Sequence, residues 1–176
     1  MNTREDDFDN AFQILIINEG GYSNNPMDSG GKTIYGITQR DYPDAFAVCA
    51  DLYKQKLFLL ALDYAKRFYK KNFWNDLYKE IPDSSLSFKI FDLSVNRGTV
   101  TAIKLLQRTL YYEFKKTIKI DGKFGQITLG AIKSINNQEM LYEKYIKCNE
   151  ASYKFLTKFW YYGKGWLNRL FRRHEI

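Results

Sequence analysis

Glu19 stands where an apolar run stops at a glycine pair, a placement that favours a proton-donating carboxylic acid. Residues 8–17 are dense in apolar side chains and compatible with a helix, and Gly20-Gly21 supplies the left-handed geometry that ends one. Glu19 then falls at a helix C-terminus near the core. The negative end of the helix dipole and partial desolvation both disfavour a carboxylate there. The pKa is therefore expected to rise toward the range where the acid form can donate near neutral pH. A helix end with only a structural task favours Lys or Arg at that place. The competing reading of Glu19 alone is a solvated residue before a turn.

Its surroundings carry more of the same chemistry. Asp28 lies nine residues on and Thr33 five further, in a stretch that holds Gly20, Gly21, Gly30, Gly31 and Gly36. Residues 21–25 and 32–37 are β-compatible and are separated by Asn24-Asn25-Pro26 and Asp28-Ser29-Gly30-Gly31 turn signals, which predicts a short β-hairpin. A helix end facing a hairpin makes a cleft. By itself Asp28 reads equally as an Asx-turn residue ahead of Ser29.

The string Glu19-Gly20-Gly21-Tyr22, then residues 25–33 as Asn-Pro-Met-Asp-Ser-Gly-Gly-Lys-Thr, then Gly36-Ile37-Thr38, resembles the signature of glycoside hydrolase family 108. These are lysozyme-like muramidases, many of them labelled secretion activator proteins. Residues 91–98, Phe-Asp-Leu-Ser-Val-Asn-Arg-Gly, resemble the family's Phe-Asp-x-x-Val-Asn-x-Gly segment. Residues 162–166, Tyr-Gly-Lys-Gly-Trp, resemble its C-terminal Gly-Arg-Gly-Trp, and the three motifs occur in the family's order.

The resemblance implies hydrolysis of the bond between N-acetylmuramic acid and N-acetylglucosamine in peptidoglycan, with Glu19 as general acid. Glycosidic cleavage needs an acid for the leaving oxygen and usually a second carboxylate to activate water or stabilise the oxocarbenium-like transition state. Asp28 is the best second carboxylate. The order Glu19, Asp28, Thr33 is also similar to the catalytic trio of phage-type lysozymes. There Asp and Thr hold the attacking water, which implies inversion at the anomeric carbon. Tyr22 and Tyr35 flank the expected cleft, where each either stacks on a sugar ring or packs the core. Asp92 and Asn96 lie four apart on an expected helix and share a face. By the wider lysozyme-like resemblance Asn96 contacts substrate, while Asp92 reads best as a buried structural acceptor.

Composition limits the alternatives. The 176 residues are 45% hydrophobic with no Pro-, Gly- or Ser-rich linker, which is enough chain for one compact protein with a sizeable core. Twenty-seven basic residues against 20 acidic give a net charge of +7, suited to an anionic polymer such as peptidoglycan with its attached acids. Nucleic acid would suit the charge too, but no groove-reading motif accompanies it, and no nucleic-acid partner is expected. The start of the chain has no apolar signal segment, and no window is long enough for a membrane span. The expectation is therefore a protein made in the cytoplasm that acts in the periplasm or cell wall, delivered by a holin-like pore, by a specialised secretion system or by a signal segment since removed. No cofactor and no metal are expected: one histidine, His174, and no clustered ligands leave no zinc or calcium site. Cys49 and Cys148 read as buried reduced thiols, with one disulfide left open.

Beyond the hairpin the pattern is helical. One long helix is expected from residue 52 to 74. Another, capped by Ser84 or Ser85, runs to Gly98, a third is capped by Thr99, and a long one spans 138–161 before a short one at Trp166. Residues 102–107, 120–125 and 128–131 resemble a peptidoglycan-binding motif that pairs a Leu-Leu-Gln helix with an Asp-Gly-x-x-Gly turn. The expected architecture is mainly α: a lysozyme-like two-lobed fold with a small β-hairpin beside the catalytic helix. Residues 1–95 form the catalytic lobe and 96–176 a helical lobe integral to the same unit. A catalytically silent glycan-binding or secretion-accessory protein and a lytic transglycosylase are the competing functions.

Overall fold

The computed structural model describes residues 7–19, 21–23 and 32–173, the side chains of Asn18 and Glu19 excepted. The fold is mainly helical with one small antiparallel sheet, as expected, and the chain divides into two compact units, Met1–Trp74 and Asn75–Ile176.

The first unit opens with α1 (Asp7–Glu19), whose buried residues Phe8, Ala11, Phe12 and Leu15 follow helical spacing. This stripe packs on α3 (Phe58–Phe73), which presents Ala61, Ala65, Tyr69 and Phe73. Ring contacts join the two, Phe12 to Tyr69 at 6.0 Å and Phe8 to Trp74 at 5.4 Å, and Lys66 Nζ meets Asp9 Oδ2 at 2.7 Å. Each ring so buried contributes roughly 1.5–3 kcal/mol.

The continuous helix expected over 52–74 is interrupted. A separate helix α2 (Pro43–Lys54) ends at Gln55, and Lys56 adopts φ +62°. Leu57 N–H then donates to Leu52 O at 2.9 Å and Lys56 N–H to Tyr53 O at 3.0 Å, the paired bonds of a Schellman cap. A lysine occupies the left-handed position that glycine usually marks, so the break left no composition signal. Leu57 and Leu60, which helical spacing over 52–74 puts on one stripe with Ala61 and Ala65, are exposed.

Between α1 and α2 lies the sheet, in order β1 (Tyr22–Ser23), β2 (Thr33–Ile34), β3 (Ile37–Thr38). The first pair is the expected hairpin, with Tyr22 opposite Ile34 and Ser23 opposite Thr33. A third strand was not foreseen. Tyr35 (φ +50°) and Gly36 (φ +78°) form a two-residue turn with both residues left-handed, as type I′ requires, and return the chain so that Ile34 faces Ile37 and Thr33 faces Thr38. Ile34 and Ile37 are both buried.

The second unit is organised around α4 (Ser84–Arg97), in which every residue from Ser85 to Ser94 is buried. Asp83, and neither of the expected serines, is the N-cap: its Oδ1 accepts from Ser85 N at 2.8 Å. Similarly Gly98 precedes α5 (Thr99–Tyr112), so Thr99 is the first helical residue and not its cap. Then follow α6 (Gln126–Lys133), α7 (Gln138–Lys154) and α8 (Phe159–Phe171). The helix expected over 138–161 thus stops at Lys154. Leu156 N–H donates to Tyr153 O and Phe159 N–H to Leu156 O, each at 2.9 Å, turning the chain with no Gly or Pro involved.

Candidate functional site

Glu19 is the last residue of α1, and the last turn of that helix carries no basic residue. Position 19 is four residues beyond Leu15, the next step in the register of the buried stripe. Its side chain lies outside the described residues, as does Asp28 entirely. The helix end at Glu19 and the start of the sheet at Tyr22 are separated only by Gly20 and Gly21.

Thr33 occupies the central strand. Side chains of directly paired residues share a face and neighbours along a strand alternate, so Ser23, Thr33 and Thr38 form a row of hydroxyls. Tyr22, Ile34 and Ile37 take the opposite face. The Thr38 hydroxyl is committed, donating to Asp41 Oδ2 at 2.9 Å and accepting from Asp41 N at 3.0 Å. Asp41 also takes bonds from Arg40, at 2.8 Å from Nε and 3.0 Å from Nη2. The Arg40 bonds, followed by that from Thr38, hold the Asp41 carboxyl below its usual range, which suits a fixed anion and not a proton donor.

Tyr22 and Tyr35 converge on a residue that the sequence did not mark. Tyr53 of α2 lies 6.3 Å, centroid to centroid, from each ring, and 4.8 Å from Phe58. Its only sequence signal was helical periodicity. Tyr22 is half exposed, with its ring beside Tyr53 and on the sheet face away from Thr33. Tyr35 is held at three points: its N–H donates to Gly21 O at 3.1 Å, its hydroxyl to Phe58 O at 3.3 Å, and its carbonyl accepts from Tyr69 OH at 3.0 Å. Burial, then Tyr53 and Cys49, push its phenol above the ordinary value, so it remains a neutral donor at physiological pH. Because Tyr69 also packs on Phe12, the core face of α1 and the β2–β3 turn share one brace.

Asn96 lies in the second unit, at the exposed end of α4. Its Nδ2 donates to Asp92 O at 2.6 Å and to Asp92 Oδ1 at 3.3 Å, the shared face expected from the spacing. Asp92 is the structural acceptor. It is 2% exposed and its Oδ1 accepts from Arg169 Nε at 3.0 Å and Nη2 at 2.9 Å, while Lys89 Nζ lies 3.7 Å from Oδ2. Lys89, 1% exposed, also donates to Arg172 O at 2.9 Å and Arg169 O at 3.2 Å, satisfying carbonyls at the end of α8. Desolvation lowers its pKa, and Asp92 partly restores it.

The Asp-Gly turn is built around Gln107, buried on α5. Its Nε2 donates to Asp121 Oδ1 (2.9 Å), Lys123 O (3.1 Å) and Thr128 Oγ1 (3.3 Å), and its Oε1 accepts from Gly122 N (2.8 Å). Gly122 has φ +79°, and a Cβ there would stand 2.8 Å from Val100 Cγ1. Beside the turn is a groove of about 700 Å³ lined by Ile118, Lys119, Phe124, Gln126 and Ile127 among others. Cys49 and Cys148 are both free thiols, the first buried.

Residues 12–98 match the family model described as Glycosyl hydrolase 108, a match that supports kinship with that glycoside hydrolase family. It begins within α1 and ends at Gly98, spanning the helix end, the whole sheet and α4. Among solved structures the chain is similar to that titled "Structure of Brucella abortus SagA", at 24% identity and a TM-score of 0.71, over 93% of this chain and 88% of that one. The two share a fold, which is of the lysozyme-like kind. No curated protein is significantly similar to this chain.

Proposed function

We propose that the protein is a peptidoglycan muramidase, hydrolysing the bond between N-acetylmuramic acid and N-acetylglucosamine with Glu19 as general acid. One observation carries the reading: α1 ends at Glu19 and turns directly into the three-stranded sheet, inside the segment that matches Glycosyl hydrolase 108. Asp28 serves as the second carboxylate and orients the attacking water together with the Thr33 hydroxyl, which sits mid-row between Ser23 and Thr38 on the polar face of the sheet. Tyr22, from the sheet face away from Thr33, and Tyr35 support the sugar site through their shared packing on Tyr53, and Asn96 is a glycan contact of the second unit. Residues 96–176 act as a helical lobe of the same enzyme, and the groove beside Gly122 is a place for glycan or stem peptide. The work of such an enzyme is lysis or opening of the wall for protein export, with a holin-like pore or a secretion system as the proposed route.

The test is turnover of purified peptidoglycan by the native protein and by Glu19→Gln, with mass analysis of products. Glu19→Gln keeps the shape and removes the transferable proton, and is expected to cost at least about a hundredfold in rate. Hydrolysis gives muropeptides with a reducing-end muramic acid. Anhydro products, one water lighter, would make the protein a lytic transglycosylase that keeps Glu19 as donor. Binding without turnover would leave the silent accessory protein.

A further inference from the structure

The corner between α7 and α8 exposes an aromatic and basic surface. Phe155 is 90% exposed and Trp160 84%, with Tyr161, Phe171 and Leu156 also open to solvent. Exposed rings gathered in one stretch of chain mark a contact surface more often than scattered ones do. Residues 151–173 contain six basic residues and no acidic one. Five of the six are exposed, and three of those, Lys154, Lys158 and Lys164, lie within four residues of Phe155 or Trp160 along the chain. Lys158 and Lys164 have no ion-pair partner among the described residues, while Lys154 pairs with Glu150 at 2.7 Å.

We propose that this corner, with the outward face of α8, docks on the surface of an anionic lipid bilayer. Trp160 and Phe171 are eleven residues apart, which returns them to one face of α8 about 16 Å apart along its axis, with Lys164 one turn from Trp160. The hydrogen-bonded turn at 155–158 sets Phe155 and Leu156 immediately ahead of α8. Trp and Tyr with neighbouring lysines is the composition of a membrane interface, where rings sit at headgroup level and ammonium groups meet lipid phosphates. Among the described residues no helix is long and apolar enough to cross a membrane, so the attachment is interfacial.

A sugar platform fits less well. Trp160 and Tyr161 stand edge to face at 80°, whereas the near-parallel pairs are Tyr153 with Trp166 at 27° and Tyr162 with Trp166 at 25°, all three less exposed. Phe155 and Leu156 also offer sugar hydroxyls no hydrogen-bonding group.

The experiment is co-sedimentation with vesicles of phosphatidylglycerol and phosphatidylcholine in equal parts, against phosphatidylcholine alone, for the whole chain and two double variants. The native protein should bind only the anionic vesicles, with affinity falling as salt rises. Lys158→Gln with Lys164→Gln should weaken partition about 25-fold, roughly fivefold for each cation. Phe155→Ser with Trp160→Ser should abolish binding with the melting temperature unchanged, since both side chains are exposed. Absence of vesicle binding by the native protein overturns the proposal, as does equal binding by all three forms. Loss of peptidoglycan binding in the Phe155/Trp160 variant without vesicle binding would make the surface a glycan platform. Lipid-free self-association lost in that variant would make it an interface between copies. None of these outcomes depends on whether the protein cleaves peptidoglycan.

Discussion

Replacing Asp92 by Asn tests whether the buried charges under α8 hold the second unit together. The substitution is nearly isosteric and removes an anion that both Lys89 and Arg169 face. At 3.7 Å and an effective dielectric of about 20, the Lys89–Asp92 attraction is about 4–5 kcal/mol. Arg169 is 26% exposed, so water compensates much of its own loss, whereas Lys89 at 1% cannot reach solvent. Lys89 keeps its bonds to the carbonyls of Arg169 and Arg172, which offset part of the penalty. The net cost should therefore be about 3 kcal/mol, near the low end for breaking a buried pair, or a fall of about 6–12 °C in melting temperature. The assay is urea unfolding followed by circular dichroism, on Asp92→Asn, Lys89→Met and the double variant. The double variant should be less destabilised than the sum of the singles, because Lys89→Met removes the charge that Asp92→Asn strands. A cost below about 1 kcal/mol for Asp92→Asn, or strict additivity across the cycle, would refute the reasoning.

Gly122→Ala should destabilise by at least about 2 kcal/mol, since it combines left-handed backbone with a 2.8 Å approach to Val100 Cγ1, and chemical denaturation reads it directly. Gln107→Ala strands the Gly122 N–H and should cost a similar amount, about 2 kcal/mol or more; near-neutral stability in both would deny the turn its structural role. Burial pushes the Tyr142 and Tyr153 phenols up to about 12. A folded pKa raised above the ordinary 10.0 gives stability that is full below pH 10 and lost as pH climbs toward about 12. The denaturant midpoint should accordingly fall across that window and fall less in Tyr142→Phe/Tyr153→Phe. Burial likewise raises the Cys49 thiol to about 11, so a thiol reagent at neutral pH should leave Cys49 unmodified until the protein unfolds, and early labelling would contradict its packing.

How far the sequence led differs by element, for identifiable reasons. The end of α1 at Glu19 and the β1–β2 hairpin were legible because glycine and Asn-Pro punctuate them. The extent of α4 was legible because its apolar residues run between recognisable ends, although the better cap at Asp83 stood one residue before the serines. The breaks at Lys56 and at 155–158 were illegible: each is closed by backbone hydrogen bonds that any residue can make. The third strand escaped because its turn pairs a tyrosine, and not the usual Asn or Asp, with Gly36. At the site, the spacing of Glu19, Asp28 and Thr33 was visible as a motif. Tyr53 was not, because its role comes from where α2 sets it against two residues distant in sequence. Asp92 and Arg169 are separated by 77 positions, and no local pattern announces their pairing.

Strands only two residues long have almost no ladder with which to fix their own alignment, and shifting one by a single position would exchange Thr33 with Ile34. The molecule meets this hazard at Tyr35. Left-handed backbone at a residue other than glycine carries strain of about 1–3 kcal/mol, which persists only because Gly21, Phe58 and Tyr69 each bond that tyrosine. The misaligned alternatives would forfeit all three bonds at once. The side to which Thr33 points is thus decided by the corner that follows it, which Gly21 holds from one side and the helix behind that corner from the other.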